Sequence, residues 1–212
     1  MMLEELSKKL RHRLTLPLPG REAQVRMAHA ERREGVMHYT TPADARKGAV
    51  LVLFFEEENK IKLPLILRAE YKGVHSGQVA LPGGQFDEAD VSFENTALRE
   101  AEEEIGISRN EVTIIGAMTQ LYIPPSNFEV HPFVGITNGT PVFNPHIKEV
   151  QEIITIDSDL LLDDSIVCEK EITLSSGFKV VTPLFNIMNY SVWGATAMIL
   201  SELKTLLREI EG

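Results

Sequence analysis

The sequence predicts an α+β fold. Short apolar runs such as Ala49–Phe55 and Leu63–Leu67 are typical of buried strands, and the polar turn Glu56–Lys60 between them favours a hairpin. Two longer segments, from about Phe93 to Ile105 and from about Val192 to Ile210, have the pattern of helices. The 212 residues contain no internal repeat, low-complexity tract or break in composition, which favours a single main domain.

Six further segments are predicted strands, because apolar and β-branched residues dominate them. They are Gln78–Leu81, Val112–Leu121, Val130–Ile136, Glu152–Ile156, Ile172–Leu174 and Lys179–Phe185. The helix near Phe93 has Ser92 in the position of an N-cap and Gly106 where a left-handed residue commonly ends a helix. Strands and helices therefore alternate irregularly along the chain, as in α+β proteins.

The first part of the chain is predicted to be a helix followed by an arm. Leucines recur at helical spacing among charged residues in Leu3–Arg13, and Pro17–Gly20 ends this amphipathic helix. The segment Arg21–Arg46 has little periodicity, and we interpret it as an arm that packs on the domain or on a partner subunit of a homodimer. The predicted division is residues 1–45 for helix and arm and residues 46–212 for the main domain.

The charge balance excludes one class of partner and allows another. A formal net charge of −10 argues against nucleic acid bound by electrostatics. A small polyanion can still bind when divalent cations lie between its phosphates and the carboxylates.

The single cysteine, Cys168, cannot form an intramolecular disulfide. No segment has the apolar pattern of a secretion signal or a membrane span, so the cytoplasm is the expected location by elimination.

Three glutamates of the helix near Phe93 form an acidic face. Glu100, Glu103 and Glu104 lie at i, i+3 and i+4, away from the apolar stripe of the helix. The ordinary interpretation of such a cluster is a solvated surface. The alternative is a cation site, because the upstream turn Pro82–Gly84 can bring main-chain carbonyl groups close to an ion and Mg²⁺ takes oxygen ligands.

The turn and the acidic face together resemble the Nudix box, a loop–helix–loop motif of hydrolases that act on nucleoside diphosphates linked to another group. The matching residues are Gly84, Arg99, Glu100, Glu103, Glu104 and Gly106. The resemblance extends over most of the chain from about Arg46 to Ile210. It implies the Nudix fold, a mixed β-sheet between helices in an α/β/α arrangement, and makes residues 46–212 the expected hydrolase domain.

The resemblance also implies roles for individual residues. The expected ligands of Mg²⁺ or Mn²⁺ are Glu100, Glu103, Glu104 and a main-chain carbonyl of Gly83 or Gly84. Glu103 acts either as a ligand or, in catalysis, through a water molecule. Arg99 is expected to pair with a neighbouring glutamate and to orient it through a charge-assisted hydrogen bond.

The first half of the motif departs from the usual pattern. Val91 lies eight residues before Arg99, where the family usually has a glutamate, and the spacing from Gly84 to Arg99 is one residue longer. Asp87, Glu88 and Asp90 lie nearby, but none of them is predicted as a ligand. A longer, Asp-rich loop of this kind resembles the coenzyme A pyrophosphatase branch of the family.

A second signature of that branch lies upstream of the motif with its spacing preserved. The matching segments are Leu65–Ala69, Gly77 and Leu81–Gly84. Two positions differ, since Gly73 replaces an arginine and Leu81 replaces a phenylalanine. On this resemblance Arg68 and Gly83 are expected to contact the substrate.

Downstream residues are more ambiguous. Glu149 resembles a late carboxylate of the family and is a candidate catalytic base, although a strand-edge charge is an equally good interpretation. Trp193, at the start of the last helix, is expected to pack. His75 and His131 fit either phosphate contacts or ordinary hydrogen bonds and are not predicted as site residues.

The resemblance implies metal-dependent hydrolysis of coenzyme A or a derivative to 4′-phosphopantetheine and 3′,5′-ADP. Another nucleotide-linked diphosphate, such as ADP-ribose or a dinucleotide, and a nucleoside triphosphate are the alternative substrates. A non-catalytic binding or regulatory module with the same fold is the alternative of a different class. The partner is in every case a small nucleotide, not a nucleic acid or a membrane.

Overall fold

The structure is a computed structural model that describes residues 2–69, 77–174 and 177–211. Its helices are α1 (Leu3–Leu14), α2 (Gly20–Gln24), α3 (Arg33–His38), α4 (Phe93–Ile105) and α5 (Gly194–Glu211). Its strands are β1 (Arg46–Glu57), β2 (Lys60–Arg68), β3 (Val79–Ala80), β4 (Gly83–Gln85), β5 (Val112–Ala117), β6 (Leu121–Ile123), β7 (Phe128–Thr137), β8 (Val150–Asp157), β9 (Val167–Thr173), β10 (Lys179–Ile187) and β11 (Tyr190–Val192). Within these ranges no helix is long and apolar enough to cross a membrane.

Strand β1 is the centre of a mixed sheet. It pairs in parallel with β7 and antiparallel with β2 and β4. Strand β2 pairs on its other side with β8, and the register of that pair shifts between Leu67 and Arg68. In the described part of the chain this sheet has eight strands, and β9, β10 and β11 form a separate antiparallel sheet. The pairing brings the glycine-rich β4 and the end of β2 close to one another.

Helices cover both faces of the mixed sheet. On one face Ala97 and Ala101 of α4 share a buried cluster with Leu51 of β1. On the other face a larger cluster includes Leu6 of α1 and Leu203 of α5. Successive residues of β1 alternate between the two clusters, as the pleat of a strand requires. The predicted α+β class, with a mixed sheet between helices, is therefore confirmed.

Most predicted elements form, with differences at their ends. Helix α4 has the predicted bounds. The strand predicted over Val112–Leu121 is divided into β5 and β6, and its pairing with β7 is irregular between Ile114 and Gly116. Strand β9 begins before the predicted Ile172, because most of its side chains are exposed and no apolar alternation marks its start.

The segment Arg21–Arg46 contains short helices that the sequence did not indicate. Besides α2 and α3 it has 3₁₀ turns at Val25–Met27 and Ala30–Arg32. These elements are too short to show the 3.6-residue period on which helix prediction depends, so no pattern in the sequence indicates them. Ala23 and Met27 are buried, and α2 contacts α5, so the segment packs on its own domain.

A buried hydrogen-bond network fastens this segment to α5. The carboxylate of Glu202 is fully buried and accepts from the Gly20 N–H (3.2 Å) and from Gln24 Nε2 (2.9 Å). Thr119 also donates to it, through Oγ1 (2.6 Å) and through its N–H (3.3 Å). Since a buried carboxylate is costly unless it is hydrogen-bonded, these uncharged donors make its burial tolerable.

Candidate metal centre

The position of the acidic face is set by the ends and the apolar stripe of α4. At its start the Asn95 N–H donates to Ser92 Oγ (3.2 Å), so Ser92 is an N-cap. At its end Gly106 adopts the left-handed conformation with φ 76°, which glycine adopts without a steric penalty. Because Ala101 and Ile105 are buried against the sheet, Glu100 and Glu104 turn toward β4 and the end of β2.

The glycines of β4 let the main chain approach these carboxylates. Gly84 pairs with Ala49 of β1, and a Cβ atom at Gly84 would collide with the carboxyl group of Glu100. A Cβ atom at Gly83 would collide with the main chain of Ala49 and Val50. A larger side chain at Gly84 would push the turn away from α4, and one at Gly83 would push it away from β1. The glycines therefore hold a strip of main chain directly beside the acidic face.

Glu104 is the most deeply buried member of the acidic face, with only 1% of its surface exposed. Its Oε2 accepts from the Gly83 N–H (2.8 Å), and its Oε1 lies 3.4 Å from Nη1 of Arg68. Burial raises the pKa of Glu104 from 4.5 to about 7, the Gly83 N–H and Arg68 oppose the rise, and the negative charges of Glu100 and Glu149 add to it. A bound cation would stabilise the charged form of this buried carboxylate.

Glu100 and Glu103 are held at the other end of the face by Arg99. The Nη1 of Arg99 donates to Glu100 Oε1 (2.9 Å) and to Glu103 Oε2 (3.1 Å). Burial raises the pKa of Glu100, although the hydrogen bond and the charge of Arg99 lower it. The Glu103 side chain is 56% exposed and faces solvent.

Asp90 is the site residue that the sequence analysis missed. Arg99 donates to it through Nε (2.7 Å to Oδ1) and Nη2 (3.0 Å to Oδ2), and these hydrogen bonds hold the pKa of Asp90 well below its usual range. Asp90 is 7% exposed and also accepts from Thr96 Oγ1 (2.8 Å). Val91, at the position where a family glutamate was expected, is 85% exposed with φ 66°. Val91 thus points to solvent with a positive φ, and the acid that precedes it binds Arg99.

A cavity of about 560 Å³ opens beside this cluster. Its lining consists of Gln85, Phe86, Asp87, Ala89, Asp90, Arg99, Glu100 and Glu103. Glu104 and Arg68 do not line it, and they lie on the inner side of the acidic face, toward β2. The site therefore has an open outer side and a buried inner side.

Glu149 approaches the inner side on the loop before β8. The Ala69 N–H donates to the Glu149 carbonyl (2.9 Å), and the His146 N–H donates to the carbonyl of Glu104 (3.0 Å). These main-chain bonds tie the loop to β2 and to the end of α4. The Glu149 side chain is 53% exposed, and its charge contributes to the raised pKa values of Glu100 and Glu104. Glu149 is therefore close enough to the acidic face to act on it by charge, and its carboxylate is open to solvent.

Other residues that the sequence analysis considered lie apart or outside the described ranges. His131 stacks on Phe93, with ring centroids 3.9 Å apart, and its Nε2 lies 2.8 Å from the buried carboxylate of Glu129. It makes ordinary packing and hydrogen-bond contacts there. His75 and Gly73 belong to the range 70–76, outside the described residues.

The chemistry of the donors fits a hard divalent cation. Glu100, Glu104 and the Gly83–Gly84 main chain offer oxygen atoms, which are the ligands that Mg²⁺ and Mn²⁺ prefer. In the side-chain positions of this structure, no three acidic, histidine or cysteine residues of the described ranges converge on one point. Arg99, Arg68 and the Gly83 N–H already contact oxygen atoms of these carboxylates. A bound cation would compete with these partners.

Comparison with known proteins points to one family. A family model described as the NUDIX domain matches residues 45–162. Nudix hydrolase 22, chloroplastic, of Arabidopsis thaliana is 32% identical over 169 residues, which are 76% of this chain and 55% of that protein. Peroxisomal coenzyme A diphosphatase NUDT7 of Mus musculus is 28% identical over 191 residues, which are 87% of this chain and 80% of that protein. The chain thus spans only about half the length of the plant relative.

A solved structure supports the same grouping at the level of the fold. The Nudix hydrolase RenU of M. smegmatis has a TM-score of 0.56 to this chain at 16% sequence identity, and the match covers 78% of this chain and 88% of that chain. At this identity the likeness shows the fold alone. The shared architecture is the mixed sheet between helices described above.

Proposed function

The chain belongs to the Nudix family, and on that basis we propose that it hydrolyses a phosphoanhydride bond of a nucleotide-linked diphosphate with the help of Mg²⁺ or Mn²⁺. The observation that carries the proposal is the buried carboxylate of Glu104 beside Glu100 and the Gly83–Gly84 main chain. Clustered acids at this depth destabilise a folded protein, so a binding module without a cation gains nothing from them.

Each residue of the site has a proposed role. Glu100, Glu104 and the carbonyl of Gly84 hold the cation, with Glu103 as a further ligand. A bound Mg²⁺ or Mn²⁺ would neutralise charge on the diphosphate and lower the pKa of a water molecule. Arg99 fixes the orientation of Glu100 and Glu103. Glu149 accepts the proton of the attacking water, whose oxygen bonds to phosphorus as the anhydride bond breaks.

We propose coenzyme A, or a derivative of it, as the substrate. The support is the preserved spacing of Leu65–Ala69 and Leu81–Gly84 and the likeness to a protein named coenzyme A diphosphatase. Arg68 and Gly83 would contact the diphosphate. Water would then split coenzyme A into 4′-phosphopantetheine and 3′,5′-ADP.

Product analysis tests this proposal. Purified protein with Mg²⁺ or Mn²⁺ is offered coenzyme A, ADP-ribose, a reduced dinucleotide and a nucleoside triphosphate, and the products are separated by chromatography. Glu104→Gln is expected to lower turnover by about a thousandfold or more, since it removes a metal ligand. Glu102→Gln is the matched control, because Glu102 pairs with Arg109 away from the site. Undiminished turnover in Glu104→Gln would contradict the proposed site, and binding without turnover would favour the non-catalytic module.

Three further sequence-based predictions belong to this proposal. Residues 46–212 form the hydrolase domain and residues 1–45 its accessory helix and arm. The protein acts in the cytoplasm, although relatives bear names that assign them to chloroplasts and peroxisomes. A homodimer is the predicted assembly. Fluorescence microscopy of the tagged protein and light scattering of the purified protein test the last two.

A further inference from the structure

Arg68, at the inner side of the acidic face, has a firmly held main chain and a weakly held side chain. Its main chain is fixed, because its N–H donates to the Gln78 carbonyl (3.0 Å) and the next N–H, of Ala69, donates to the Glu149 carbonyl (2.9 Å). Its side chain is held much less firmly. The ion pair with Glu104 is a single contact of 3.4 Å.

Within residues 2–69, 77–174 and 177–211, the Arg68 guanidinium has one ion-pair contact, with Glu104. Its Nε is buried and has no hydrogen-bond partner within the described ranges. A buried N–H group without an acceptor is uncommon in folded proteins and needs an explanation. The side chain is 27% exposed, so the guanidinium lies at the boundary between the buried carboxylate and solvent. The exposed part of the side chain can therefore contact a ligand that arrives from solvent.

The Glu104 oxygen that Arg68 contacts is also the one more open to a cation. Glu104 Oε2 accepts from the Gly83 N–H at 2.8 Å, whereas Oε1 has, within the described ranges, only the long contact with Arg68. A divalent cation that binds Oε1 would face a positive guanidinium at the same atom. At short distance and with little water between them, the two positive charges repel strongly. Each therefore weakens the hold of the other on Oε1.

We propose that Arg68 is a displaceable counter-charge of the metal site, which holds Glu104 until a cation binds and then turns its guanidinium to the diphosphate of the substrate. The inference rests on the proposed function. This role explains why the positively charged Arg68 lies beside Glu104, a buried proposed metal ligand. It also explains why the contact between Arg68 and Glu104 is weaker than the contacts of Arg99. It also predicts positive coupling between metal and substrate, because the phosphates receive the guanidinium that the cation displaces.

Binding of Mn²⁺ alone tests the first half of the proposal. Free Mn²⁺ is titrated by electron paramagnetic resonance at about pH 8.5 under argon, without substrate, so that Glu104 with its pKa of about 7 is ionised. Arg68→Gln removes the competing charge and is expected to bind Mn²⁺ about fivefold or more tightly than the wild type. Arg68→Lys keeps the charge and is expected to stay close to the wild type.

A matched control separates competition at Glu104 from a general change in charge. Arg109→Gln also removes one positive charge, from a pair with Glu102 on the same helix, and is expected to leave Mn²⁺ affinity unchanged. Equal or weaker Mn²⁺ binding in Arg68→Gln would overturn the proposal and make Arg68 a fixed support of Glu104. If Arg68→Gln fails to fold by circular dichroism, Arg68→Met, which retains the aliphatic stem, takes its place.

The second half is tested with the substrate that the wild type accepts. Substrate is expected to tighten Mn²⁺ binding about fivefold or more in the wild type and clearly less in Arg68→Gln. The same tightening in both proteins would contradict the transfer of Arg68 to the phosphates. Failure of the proposed function gives a different result, because wild type and Glu104→Gln would then bind Mn²⁺ equally poorly.

Discussion

The two arginines of the site illustrate two ways of placing a positive charge beside a carboxylate. Arg99 is surrounded by Asp90, Glu100, Glu103 and the Gln85 carbonyl at 2.7–3.1 Å. Arg68 makes one contact of 3.4 Å with Glu104 and leaves a buried Nε without an acceptor in the described part of the chain. The contacts of Arg99 suit a permanent support of the carboxylates. The contact of Arg68 suits a partner of Glu104 that can be exchanged. The predictions below test this contrast in order of decreasing effect.

Removing the acid that holds Arg99 should have the largest effect. In Asp90→Ala the guanidinium loses its two-pronged partner, and Thr96 Oγ1 loses its acceptor. We expect the free energy of unfolding to fall by about 4 kcal/mol, as for other broken buried ion pairs. Urea unfolding followed by circular dichroism measures it. A loss below about 1 kcal/mol would show that Arg99 does not depend on Asp90.

The buried carboxylate of Glu104 should make the metal-free protein less stable as the pH rises. Its folded pKa of about 7 lies above the ordinary 4.5, so folding takes up a proton between these values and stability falls through this window. The loss amounts to about 3 kcal/mol above pH 7. Glu104→Gln should avoid it, with stability equal to the wild type at low pH and higher above pH 7. Urea unfolding with a chelator at several pH values tests this, and parallel curves for the two proteins would contradict it.

Substituting Arg99 by lysine should separate geometry from charge. Lysine keeps the positive charge but cannot bind Asp90 with two parallel hydrogen bonds while also contacting Glu100. We expect the turnover of Arg99→Lys to fall by about 10- to 100-fold, as for other residues that orient metal ligands. Steady-state kinetics at saturating Mn²⁺ provides the measurement. Wild-type turnover would mean that charge alone suffices at this end of the face.

The exposed pair of Arg109 and Glu102 gives the smallest expected effect. Both side chains are at least one-third exposed, although their contact is 2.6 Å. Arg109→Gln should change the free energy of unfolding by less than about 0.5 kcal/mol, because solvent screens such pairs. A larger change would mean that a short distance by itself stabilises α4, and would weaken the contrast between Arg99 and Arg68.

The parts of the fold that were predictable carry long, regular patterns. Helix α4 is marked by Ser92, by an apolar stripe and by Gly106, so both of its ends could be predicted. The helical turns after α1 are too short to produce a period. The ends of β5 and β9 depend on pairing with neighbouring strands rather than on their own side chains.

The site was predictable where spacing alone determines it. Glu100, Glu103 and Glu104 share a face because of helical geometry. The ion pair between Asp90 and Arg99 depends on the shape of the loop before α4, which is one residue longer than usual. In this loop Val91 has a positive φ that its side chain disfavours. Arg68 lies where the register between β2 and β8 shifts, an irregularity that no local pattern encodes.

The network around Glu202 also has a consequence for the order of folding. Its contacts with Gly20 and Gln24 join residues 182 and 178 positions apart in the chain. Loop-closure entropy disfavours so remote a contact until the intervening sheet has brought the two segments together. We therefore expect these hydrogen bonds to form late, and pulse-labelled hydrogen exchange at the Gly20 N–H during refolding is the measurement that checks it.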